Sequence, residues 1–447
     1  MSGPKVVRIV TREEIIATCQ GHLARVDAQL AEWIRVGRRS ECITDAEIAA
    51  AQARREALGD LLAKDRFLDL QKEAPQEIAF LRADLHDRLA KVAEAKAAAR
   101  TRERRQGDAA RALLAELRRR GKAMPADLEQ ALKRASDGAH DAAALSRGFA
   151  LLSDEGAAAS EAKQRLAERL KTGETPRTVT DWIASQPAPD EAALTRLERQ
   201  IGDLATLDPQ TAEGFEERLG SVRDAAPERR ALLLDSLQMD LGRRVADAKR
   251  LAAIGGDLNL VLAELAAVGA PPPPDFIARQ SAAATAEALE RLLAEADATL
   301  KAVRASQAAE ARRQAVLSSL AGLGYEVKEG MATAWVADGR VVLRKAAQEG
   351  YGVEIAGDPA QARMQMRVVA FTDGAAAADP AKDRDAETLW CGDVETLKRE
   401  LAASGGDLVI EQARPVGATP VKRIAAPDLI EGRQAREGPA RQSRTLG

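Results

Sequence analysis

Aromatic residues are scarce in this 447-residue chain: they make up 3% of it, while charged residues make up 30%. With Ala, Leu, Glu and Arg dominant, that is the composition of long helices and coiled coils. Cysteine is equally sparse. Cys19, Cys42 and Cys391 form no metal-ligand spacing, and an odd number so far apart is a poor disulfide framework, so a reducing cytoplasm is the expected setting. The three histidines, His22, His86 and His140, lie too far apart in sequence to suggest a local metal site. The single asparagine, Asn259, precedes Leu260 and Val261, which excludes a glycosylation sequon. No run of about 18 apolar residues is present to cross a membrane. The opening "MSGPKVVRIVTREE" lacks the apolar core of a secretion signal. A net charge of −3 argues against a chain dominated by nucleic-acid or membrane binding. The Ala, Arg and Gly bias fits GC-rich bacterial coding.

Helical signals fill the first three hundred residues. "KVVRIV" (Lys5 to Val10) is a β-prone run that could pair with the C-terminal sheet or with a partner's sheet edge. Thr11 and Glu14 then have capping-box spacing, as do Thr44 and Glu47. Between them Ile16, Cys19, Leu23, Val26, Leu30 and Trp33 recur every three or four residues, the seam of a helical hairpin or coiled coil. A second helix is expected from Asp45 to about Gln71, and Pro75 suits the first turn of a third, which Gly121 ends. Residues 1–123 thus read as a strand-prone segment and a long antiparallel hairpin. Residues 124–270, broken by Gly138, Gly173, Pro187, Pro189, Pro209 and Pro227, read as a bundle of shorter helices. Asp208-Pro209 and Asp190 mark helix starts there. Residues 271–321 hold a stiff Pro271–Pro274 spacer and a helix from Asp275 to about Leu320.

At Gly322 the hydrophobic period changes from about 3.6 to 2, and five of the twelve aromatics lie beyond residue 310. Residues 322–424 therefore read as a small α+β domain with an antiparallel sheet. Tyr325–Glu329 and Met331–Val336 are expected strands, the latter turning at Asp338-Gly339 into Arg340–Arg344. Tyr351–Ile355, Met364–Phe371 and "DLVIEQA" follow as strands, with a polar loop over 372–387 and a helix capped by Asp393. The basic tail 425–447 reads as disordered. The fold class is mainly α: a helical hairpin and bundle, then the α+β domain.

Catalytic signatures are absent or incomplete. No phosphate-binding G-x-x-x-x-G-K-[ST] loop occurs. Ser160-x-x-Lys163 and Lys171-Thr172-Gly173 match two signatures of penicillin-recognising enzymes, but the S-D-N element is missing. Asp373, Asp379, Asp383, Asp385 and Glu387 lack the ligand order of a calcium loop. Cys391, in Trp-Cys-Gly-Asp, is a weak candidate for a reactive thiol: the helix expected at Asp393 would favour a thiolate, but the domain holds no His. The strongest charge cluster is Arg100, Arg102, Arg104, Arg105, Arg111, Arg118, Arg119, Arg120 and Lys122, nine bases against three acids. No cofactor is expected. Two roles stay open: a non-catalytic scaffold or adaptor of a bacterial cytoplasmic assembly, or a nucleic-acid-associated accessory subunit using residues 100–122 beside a separate ATPase or nuclease. Other proteins are the expected partners, and the helical seams also allow self-association.

Overall fold

The computed structural model describes residues 3–137, 141–153, 191–357, 362–372 and 379–425. It is mainly helical, with a small sheet domain closing the chain. Strand β1 (Lys5–Val10) leads into α1 (Arg12–Arg39), α2 (Asp45–Ala63) and α3 (Phe67–Arg119). The Thr44–Glu47 capping box forms in full. Thr11 accepts from the Glu14 backbone, but the Glu14 carboxylate turns away to Arg312. The α1 seam buries as its spacing requires: Cys19, Leu23 and Val26 pack with Leu58, Leu61 and Leu70.

Helix α2 stops well short of Gln71. Asp65 adopts a left-handed φ of 57°, which Asp tolerates better than bulkier residues, and the chain turns. Pro75 does not open a helix but lies inside α3. One lost backbone hydrogen bond is offset there by burial of Leu70, Ala74 and Leu81 on either side. At 53 residues α3 is about 80 Å long at 1.5 Å per residue.

Four shorter helices follow: α4 (Ala126–Ser136), α5 (Ala142–Ser153), α6 (Glu191–Leu207) and α7 (Pro209–Arg223), the last capped by Asp208 as expected. Asp190, Gly138, Gly173, Pro187 and Pro189 lie outside the described residues. The expected run of short helices ends here, because α8 (Pro227–Ala267) is 41 residues long. The helix expected from Asp275 is two. Helix α9 (Pro274–Ala282) ends where Ala283 becomes extended, and Thr285 caps α10 (Ala286–Gly322). Buried charges tie these helices to α1. Glu264 on α8, its side chain 1% exposed, accepts from Arg25 of α1 at 2.5 Å and pairs with Arg304 of α10. Gly21 lets this carboxylate approach, since a Cβ there would meet it.

The sheet domain departs from the expected strand list in an instructive way. Met331–Val336 is not a strand: α11 (Met331–Asp338) occupies it, between Gly330 and Gly339, both at positive φ. Gly339 donates to the Trp335 carbonyl at 2.9 Å, so Asp338-Gly339 terminates a helix rather than turning a hairpin. The Ala- and Met-rich segment favours that outcome. Tyr325–Glu329 is no strand either; Tyr325 makes one bridge, to Lys345. The hairpin is instead β2 (Arg340–Arg344) with β3 (Tyr351–Ala356), followed by β4 (Arg363–Thr372). Helix α12 (Pro380–Ala403) starts at the Asp379 cap, so Trp390 to Asp393 lie in mid-helix and Asp393 caps nothing. Strands β5 (Asp407–Ala413) and β6 (Lys422–Ala425) complete the sheet.

The strand order is β2-β3-β4-β1-β5, with β6 parallel to the far half of β4. The N-terminal strand is thus interior to the sheet, antiparallel to both β4 and β5. It pairs within its own chain. The helical body is, in chain terms, an insertion between β1 and the rest of this domain. Val7 and Ile9 lie in one core with Trp335, Trp390, Leu320, Met366 and Leu408.

Candidate interaction surface

The basic cluster at 100–122 does not form a free stripe. Arg104 is buried, its side chain 5% exposed, between Glu198 and Glu191 of α6. Burial outweighs the cations around Glu198 and pushes its carboxyl above the usual range. Arg105 lies 3.5 Å from Glu191, and Arg100 pairs with Glu216 at 2.7 Å. Arg118 reaches Glu129, Arg119 and Arg120 share Glu116, and Arg111 pairs with Asp108. Arg102 is exposed, while Lys122 is engaged within the chain. Helical period, which the linear count ignores, distributes these residues around α3 toward acids on four elements.

Cys391 sits half-buried in mid-α12, without a helix N-terminus beside it. The Nζ of Lys5 donates to its Sγ at 3.1 Å. His22 and His86 come from α1 and α3, and His140, Ser160, Lys163 and Lys171 to Gly173 lie outside the described residues. No group of three or more His, Cys, Asp or Glu among the described residues is placed to hold a metal ion. Asp373 lies outside them, Asp385 is exposed, and the other three acids serve the fold. Asp379 caps α12, Asp383 receives Tyr351 and Arg423, and Glu387 receives the Gly417 N–H. No helix among the described residues is long and apolar enough to cross a membrane. A cleft of about 900 Å³ opens between α1, α3, α6 and α8. Its walls are mixed in charge, with Arg35 bound to Glu32 and Lys249 set 3.7 Å from Asp203.

The sheet presents the better-defined surface. Helices α10, α11 and α12 supply the core on one face. On the other, alternation brings together Arg340 and Arg344 of β2, Arg363 and Arg367 of β4, Arg8 of β1 and Lys422 of β6. Against these six bases stand three carboxylates, Glu354 of β3 and Asp407 and Glu411 of β5. Glu354 gathers three of these bases, while Arg8 and Arg363 pair with Glu411. The Glu354 side chain is 1% exposed, and it accepts from Arg367 Nε at 2.5 Å, Lys422 Nζ at 2.8 Å and Arg340 Nη1 at 3.4 Å. Burial opposes its charge, yet the bonds from Lys422 and Arg367 outweigh that and hold the carboxyl below the usual glutamate range. Arg344 stacks on Phe371, 4.6 Å from the ring centre. Arg8, Arg340 and Arg363 are exposed. The available signal in sequence was the four-residue spacing of arginines in "RVVLR" and "RMQMR", which in a strand means one face.

Comparisons with protein-family models, with curated proteins and with solved structures return no match to this chain.

Proposed function

We propose that this chain is a non-catalytic scaffold or adaptor of a bacterial cytoplasmic assembly, which holds its sheet domain on a long helical body and docks a partner protein on the outer sheet face. The observation behind this reading is that face: six bases, three of them bound to one buried carboxylate, on the side of the sheet away from the domain's helices. A single-layer face with a surplus of three positive charges suits an acidic protein surface, by steering and by register. The alternative, a nucleic-acid accessory subunit, draws less from the 100–122 cluster because most of its arginines already bind acids of this chain. The one aromatic on the basic face, Phe371, is covered by Arg344 rather than free to stack a base. Affinity purification of the intact chain from its native host, with and without nuclease, tests the choice. A partner set that survives nuclease is expected. Partners that disappear with nuclease would replace the adaptor reading with the nucleic-acid one.

A further inference from the structure

Lys5 is a lysine in an unusual place. It lies on the core side of an interior strand, 2% exposed. Among the described residues it has no carboxylate partner; its Nζ points at Cys391 Sγ, 3.1 Å away and 386 positions along the chain. Burying an amine at this depth is costly without a partner, and a sulfur atom is a weak one. The sulfur itself is half-buried rather than sealed. Gly392 beside it is exposed, and nothing lies within 4 Å of where its Cβ would stand, which leaves open space next to the thiol. Cys19 differs in its surroundings: its contacts are a carbonyl and an amide at 3.9 Å, with no amine against the sulfur.

The geometry points to Lys5 and Cys391 as an oxidative cross-linking site, in which a peroxide converts the pair to a sulfur–nitrogen bond. Peroxide transfers one oxygen atom to Cys391 sulfur, giving the sulfenic acid, and is itself reduced to water. The Lys5 amine then attacks that sulfur with its lone pair. The S–N bond forms as the S–O bond breaks, and the hydroxyl leaves as water with the proton that nitrogen gives up. The product is a sulfenamide that fastens β1 to α12. An added thiol reverses it by attack on sulfur, which restores the amine and leaves a mixed disulfide for a second thiol to reduce. This site is independent of the outer sheet face, since both groups lie on the core side.

The test is hydrogen peroxide treatment of the intact folded chain, followed by proteolysis and mass spectrometry. The expected product joins the peptides containing Lys5 and Cys391, lighter than their sum by two hydrogen atoms and separated again by dithiothreitol. The same treatment in denaturant gives no joined peptide, because the pair is no longer held together. Cys391→Ser removes the product in the folded chain, and Lys5→Arg diverts Cys391 to higher oxides. Oxidation of the folded wild-type chain that stops at sulfinic or sulfonic acid on Cys391, with Lys5 free, overturns the proposal. So does a Cys391 thiol that stays unmodified while Cys19 or Cys42 reacts.

Discussion

Glu354→Gln is the most informative single change in the sheet domain. The substitution keeps shape and removes charge from a side chain that is 1% exposed and bonded to Arg367, Lys422 and Arg340. Breaking a fully buried ion pair costs about 3–5 kcal/mol, because the orphaned partner stays buried. Here the partners are 29%, 34% and 57% exposed, so water can re-solvate them. The expected loss is therefore smaller, about 1.5–3 kcal/mol, the range of hydrogen bonds to charged groups. For a domain of this size each kcal/mol moves Tm by about 4–8 °C. The folded carboxyl is held below its unfolded value of about 4.3. Its contribution is therefore fully present above that pH and is lost as pH falls through the folded value. Thermal melts followed by tryptophan fluorescence, to which the core residues Trp335 and Trp390 contribute, should separate wild type and variant at pH 7. The gap should begin to narrow as pH falls below about 4 and close once the folded carboxyl is protonated. A gap that is absent at pH 7, or unchanged at pH 3, would refute the electrostatic account of this cluster.

Four further outcomes follow from the packing. Ile9→Ala empties a fully buried position in an interior strand and should cost the sheet domain about 2–5 kcal/mol in denaturant unfolding, with far-ultraviolet helix signal largely kept. Val409→Ala, on the exposed face of β5, should change little. Arg104→Ala leaves Glu198 buried without its cation and should destabilise the helical body by about 3–5 kcal/mol in thermal circular dichroism, with most of it recovered by adding Glu198→Leu. Charge reversal at Arg118, Arg119 and Arg120 breaks only exposed pairs worth about 0–1 kcal/mol each, so a large drop in helix Tm would show that those side chains pack against something.

Local signals were legible where the local rule had no competitor. The Thr44–Glu47 box, the Asp208 cap, the α1 seam and the two-part architecture all read directly from spacing. Where two rules competed, the sequence could not arbitrate. Asp338-Gly339 satisfies both a hairpin turn and a helix C-terminus, and burial of Trp335 decided for the helix. Pro75 satisfies both a helix start and a tolerated interior defect, and the flanking leucines decided for the defect. Non-local facts were the hardest to see. Residues 5–10 have no sequence neighbour that reveals β4 and β5 as their partners, roughly 350 and 400 positions away. The 100–122 cluster looked free for the same reason: Glu191, Glu198 and Glu216 are remote in sequence and adjacent in space. The outer sheet face required knowing which segments were strands, and that depended on the misread α11.

The adaptor reading stands or falls on that face. Its most direct test is affinity purification from the native host of the wild-type chain beside the double variant Arg8→Glu, Arg363→Glu, both changes at exposed positions. Loss of the nuclease-resistant partners from the variant, with its melting curve preserved, is the expected result. An unchanged partner set would place the docking surface elsewhere and contradict the account.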